Sequence, residues 1–251
     1  MKHMRAVPMA IVAMGSLSLD PHPAPSSRSA LPRGVSATRA VASETRSFAL
    51  SSPPGGVGGE TVTRIGDMIS GDMFIGARHA HYEGRIAADG TIPRLDIRTW
   101  RSGTEAKHRR VLTAIVGRDS AMLIQHVGSH VDTLRFASQP GLLPVINPSM
   151  GLLELVVARA RLQKSRSAKI PILGIDALYL DSRGKENVEA GTEPVDVTFL
   201  AADTVRLGNP KSADQVRMIV GADGHVRGAR SGSTSKSIFS MRPTSKRVPP
   251  N

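Results

Sequence analysis

The chain contains no cysteine. Disulfides, thiolate metal sites and a cysteine nucleophile are therefore excluded, while the compartment is left undecided. Aromatic residues make up 3 % of the chain, with a single tryptophan, Trp100. Stacking recognition of bases or sugars ordinarily uses more. No stretch reaches the roughly 18 apolar residues that a membrane-spanning helix requires. Acidic residues are outnumbered, 21 Asp and Glu against 33 Lys and Arg, for a net charge of +12. Several of those cations, including Arg28, Arg33, Arg39, Lys236, Arg242, Lys246 and Arg247, stand near the two ends. Basic ends of this kind read as solvated charge, and also as attraction to an anionic surface.

The 251 residues divide by composition. Met1-Lys2-His3-Met4-Arg5 followed by the uncharged run Ala6–Leu19 has the form of a secretory signal peptide, expected over residues 1–22. Residues 23–58 are rich in Ser, Pro, Gly and Ala and read as a disordered linker. Residues 60–231 hold enough apolar side chains for one core, and residues 232–251 read as a disordered basic tail.

The foldable part is mainly β. Residues 78–87 alternate, with His79, His81, Glu83 and Arg85 on one face and Ala80, Tyr82, Gly84 and Ile86 on the other. Asp89-Gly90 then leads into the alternation Leu95, Ile97, Thr99, a strong hairpin signal because glycine accepts the positive φ of the turn. Strands are expected at 60–65, 68–75, 109–117, 120–127, 130–137, 170–175, 194–200, 204–207, 216–220 and 226–229. One segment breaks this rhythm. Asn147-Pro148-Ser149 reads as a helix start, and Leu152 to Ala160 is apolar almost all round before Arg159, Arg161 and Lys164. The expectation is a curved antiparallel sheet or open barrel of about ten strands, crossed by one helix at 148–163.

The order of Thr63–Phe74, the Ala88-Asp89-Gly90 hairpin, Leu143–Ser149 leading into the helix, Asp203–Leu207 and the Ala222-Asp223-Gly224 hairpin resembles uncharacterised secreted β-rich domains of environmental bacteria. A curved sheet with a helix in its concavity is also similar to periplasmic lipoprotein-carrier proteins. That resemblance implies an apolar-ligand cradle and no catalytic residue. Under the helix, Ile97, Ile115, Leu152 and Val156 are the residues expected to line it.

Other chemistry is thin. His79, His81 and Glu83 share a strand face, and His126 and His130 flank a turn, with His108 nearby; imidazoles converging from neighbouring strands hold zinc. Ser233-Thr234-Ser235-Lys236 copies the Ser-x-x-Lys of penicillin-recognising enzymes, but in a polar tail instead of at a buried helix start. Asp132-Thr133 and Asp203-Thr204 lack the glycine of an aspartic-protease loop. The basic run Arg159–Lys169 suits phosphate, yet no aromatics or nucleic-acid module accompany it. Three classes of function stay open: an exported binding module for an apolar ligand or lipid in the cell envelope, an adaptor domain for an envelope protein, and a metal-dependent enzyme. Nucleic acid is not an expected partner. An exported chain loses roughly its first 20–45 residues, so N-terminal sequencing of protein from its own host should miss Met1; an intact Met1 in the cytoplasmic fraction refutes export.

Overall fold

The computed structural model describes residues 43–52, 56–104, 110–178, 188–208 and 215–231. The signal peptide, the first part of the linker and the basic tail with Ser233 and Lys236 lie outside the described residues, as does His108.

Among the described residues two sheets hold fourteen strands. The first is an eight-stranded meander curled into a half-barrel. Its strands are β1 (Ser43–Ser52), β2 (Gly56–Ile65), β3 (Met68–Ile75), β4 (Arg78–Arg85), β5 (Arg94–Arg101), β6 (Arg110–Val116), β7 (Ser120–Val127) and β8 (His130–Ala137), each antiparallel to the next. Strand β9 (Leu143–Ile146) then leads into α1 (Met150–Leu162). The chain continues through β10 (Ser167–Asp176), β11 (Glu189–Phe199), β12 (Thr204–Leu207), β13 (Val216–Val220) and β14 (Val226–Ser231). The second sheet has the order β14-β13-β12-β11-β10-β9. Its only parallel pair among the described residues is β9–β10, joined through the helix.

The mainly β expectation with one helix holds, and most strand positions match. The strands are more numerous than ten and form two sheets, because alternation reports which face a residue occupies and not which strand it pairs with. Strand β1 corrects the linker reading. Ser43–Ser52 looks polar, but Phe48 and Leu50 are 5 % and 1 % exposed. Gly56–Gly58, within the stretch read as linker, opens β2, where Leu50 pairs with Gly58 and Ala49 with Gly59. A Cβ at Gly58 would stand 2.6 Å from the Phe74 carbonyl oxygen, so glycine here permits close strand approach. Strand β9 was hidden for the opposite reason. All four of its residues are buried, which produces a continuous apolar run.

Helix α1 lies between the sheets. It packs on β9 and β10, and Gly151 sets it against Val62 and the Tyr82 hydroxyl. Its residues Met150–Val157 and Ala160 are buried, which explains a sequence apolar on nearly every side. Within the expected helix start, Ser149 is the N-cap: its Oγ accepts from Leu152 N at 3.1 Å. Asn147, joined to Pro148 by a cis peptide, instead donates from Nδ2 to Asp176. At the far end Arg159 donates to the Asp89 carbonyl, and Arg161 lies beside Gly224. The two Ala-Asp-Gly turns, one from each sheet, thus flank the end of the helix. Leu152 is 1 % exposed, so Leu152→Ala should cost about 2–5 kcal/mol. Arg161→Ala should cost well under about 1 kcal/mol. Urea denaturation of the two variants checks the contrast, and equal shifts would refute the packing of α1.

Candidate functional site

Two buried glutamates, Glu60 at the start of α1 and Glu154 one turn on, organise polar groups of the interior. At the helix start stands Glu60 of β2, 2 % exposed. Its Oε1 accepts from the Tyr82 hydroxyl at 2.8 Å and from Ser149 Oγ at 2.5 Å. Its Oε2 accepts from the backbone N–H of Met150 at 2.5 Å and of Gly151 at 3.3 Å. A carboxylate thus occupies the helix N-terminus, where unpaired amides and the helix dipole favour negative charge. Burial pushes the Glu60 carboxyl above its ordinary range, while the four hydrogen bonds pull it back. Burial and the neighbouring Glu60 push the Tyr82 phenol well above its own. All acceptor sites of Glu60 are engaged, so it acts as a clamp and has no lone pair left for proton transfer.

One turn on, Glu154 is also buried. Its Oε1 accepts from Arg46 of β1 and from the Val226 N–H of β14, the latter at 2.7 Å. Arg46 Nε lies 3.0 Å from Glu44. His225 reaches Glu44 at 3.1 Å through Nε2 and Glu154 at 3.6 Å through Nδ1. Burial opposes the charge of Arg46, but the hydrogen bond and charge of Glu154, with Glu44, hold it more firmly protonated than an ordinary guanidinium. The Asp223 carboxyl is lowered, mainly by the His225 backbone N–H, and pairs with Arg227. This network ties the edge of the first sheet, the helix and the β13–β14 turn together. A further acid, the half-buried Asp176, lies across from Glu189; loss of hydration pushes it up to about 7.

Beside the network lies a cavity of about 1000 Å³. Consecutive residues Glu44–Ala49 of β1 line it, so it follows the strand along the sheet edge. Gly58–Thr61 of β2, Asp72–Phe74 of β3, His79, Ala80 and Trp100 of β4 and β5, and Asp223, His225, Val226 and Arg227 around the β13–β14 turn complete it. Phe74, His79 and Trp100 are cross-strand neighbours. The His79 ring stacks on Phe74 at 6.1 Å and on Trp100 at 5.4 Å.

The residues expected to bind an apolar ligand lie elsewhere. Ile97, Leu152 and Val156 are 0–1 % exposed in the filled core. Ile97 pairs with Leu112, three positions from Ile115, so Ile115 points to the opposite face of the sheet. None of the four lines the cavity. The histidines also stay apart. His79 hydrogen-bonds Ser102 at 2.7 Å, and His81 lies 2.7 Å from Asp72. His126 stands in the cross-strand row of His81, beyond Arg98 and Val111. That is three strand spacings, about 14 Å. His126 pairs with Val131, so His130 faces the other side. Among the described residues no group of three His, Asp or Glu side chains is placed to hold a metal ion.

Sequence reasoning missed Glu60, Glu154 and the cavity. A glutamate within an apolar helix, Glu154, was the one available signal, because a buried charge requires a partner.

No family model matches the chain, and no curated protein does. Among solved structures, a DUF1089 family protein from Pseudomonas aeruginosa is similar at 20 % identity and a TM-score of 0.46, over 67 % of this chain and 86 % of that one.

Glu60→Leu orphans two hydroxyls and two amides and should cost at least about 3 kcal/mol. Glu60→Gln retains an acceptor for the amides while the hydroxyls can turn, and should cost less. The raised carboxyl means that wild-type stability falls as pH climbs through and above the usual carboxylate range. The deficit of Glu60→Gln, measured by urea denaturation, should therefore shrink from about pH 4 to about pH 7; a deficit that grows with pH refutes it.

Proposed function

We propose that this chain is an exported binding module that holds an apolar or amphiphilic molecule, such as a lipid, in the cell envelope. The cavity at the edge of the first sheet carries this reading. Its volume of about 1000 Å³ is within the range of small-molecule sites. Phe74 and Trp100 offer apolar contact on the outer face of the first sheet, while Glu44, Arg46, His225 and Arg227 offer charge on the other side of the edge strand β1. A ligand with an apolar body and a polar end matches that division. The basic and apolar N-terminal segment supports export.

Two observations favour binding over the other classes. Glu60 and Ser149 are saturated by structural hydrogen bonds, which argues against catalysis there. Among the described residues the exposed Val131, Leu162 and Ile219 lie on different elements, and Ile65 with Met68 forms one cross-strand pair, which is smaller than the contiguous patch of an adaptor.

Trp100, the only tryptophan, lines the cavity and reports its occupancy. Titration with oleate should shift its emission saturably. Phe74→Ala should weaken oleate binding about tenfold through lost apolar burial. Because Phe74 is 38 % exposed, the thermal midpoint should barely move. Unchanged emission at saturating oleate, or equal affinity in the variant, overturns the reading. Native mass spectrometry of protein from its own host should find a co-purifying lipid mass.

A further inference from the structure

The outer face of the second sheet carries three arginines in one cross-strand row. Arg206 of β12 pairs with Arg217 of β13, and Arg217 pairs with Arg230 of β14. The alternate residues Val205, Leu207, Val216, Met218 and Ala229 are buried, so the three guanidiniums project from the same outer face. Arg217 and Arg230 are exposed and Arg206 is half-buried. Like charges directly opposite one another destabilise a sheet unless something neutralises them. Among the described residues no carboxylate does so. Asp196, on the same face, lies 3.9 Å from Lys169. Arg206 has only a 3.4 Å bond to Thr198, and its buried Nε has no partner among the described residues. The row therefore concentrates uncompensated positive charge on one outer face.

We propose that this face docks on an anionic phospholipid bilayer through Arg206, Arg217 and Arg230. Strand spacing sets the three arginine backbones about 5 Å apart in one row, which lets their flexible side chains reach several head-group phosphates. Ile219 shares the face with Arg217 and is 53 % exposed, so it adds an apolar contact at the interface. No aromatic side chain among the described residues stands on this face to stack a base, which favours lipid over nucleic acid. The chain beyond β14 supplies Lys236, Arg242, Lys246 and Arg247 and no acid, so the charge continues with the same sign. The proposal stands whether or not the cavity takes a ligand.

Co-sedimentation of the full chain with vesicles tests it. The chain should bind vesicles of three parts phosphatidylcholine to one part phosphatidylglycerol, more weakly as salt rises, and should ignore pure phosphatidylcholine. Each Arg at such a surface contributes about a fivefold gain in partitioning, so R206Q/R217Q/R230Q should lose at least about tenfold. The control R85Q/R94Q/R98Q removes equal charge from the outer face of the first sheet and should bind nearly as the wild type does. Should the triple variant not fold, Arg217→Glu, at an exposed position, should alone lose about fivefold or more. Equal binding to both vesicle types, an equal loss in the control, or an unaffected Arg217→Glu overturns the proposal. So does a wild-type chain that ignores anionic vesicles yet shifts duplex DNA or RNA in a gel.

Discussion

A buried helix cannot leave its first amides unpaired, and here the first sheet supplies the partner. Water cannot reach the N-terminus of α1, so Ser149 alone would satisfy only one of the exposed N–H groups. Glu60 brings both carboxylate oxygens from β2 and takes the Met150 and Gly151 amides, the Ser149 hydroxyl and the Tyr82 hydroxyl together. Strand β2, strand β4 and the helix start are thereby held in one register. Burial of the carboxylate opposes its charge, and the four hydrogen bonds offset only part of that cost.

The second buried glutamate repeats the solution with different partners. Glu154 projects toward the open edge of β1 and the start of β14, and Arg46 and the Val226 amide meet it there. A sheet edge carries unpaired backbone groups that must be covered or blunted. The β13–β14 turn approaches this edge through His225 and Glu44. The junction leaves the cavity beside it, so one set of contacts both closes the core and bounds the candidate site.

Much of the fold was legible because period-two alternation is strong where one strand face is wet. The hairpin around Asp89-Gly90 and strands β7 and β8 are such cases. The helix was legible through its unbroken apolar length. Strand β1 was not, since its only buried apolar residues are Phe48 and Leu50 in a polar run. The arginine row was equally invisible, because Arg206, Arg217 and Arg230 are 11 and 13 positions apart and become neighbours only through strand pairing.

By itself the sequence determined the class of the protein: mainly β, one apolar helix, no thiol chemistry, and an excess of positive charge. These follow from composition and local period, which depend on nearest neighbours along the chain. Only the tertiary structure decided the split into two sheets, the partners of Glu60 and Glu154, the scattering of the histidines, and the place of the cavity. Each of these is a pairing between residues far apart in sequence. Alternation tells which face a side chain occupies, but the partner across the sheet is chosen by the register and curl of the whole meander.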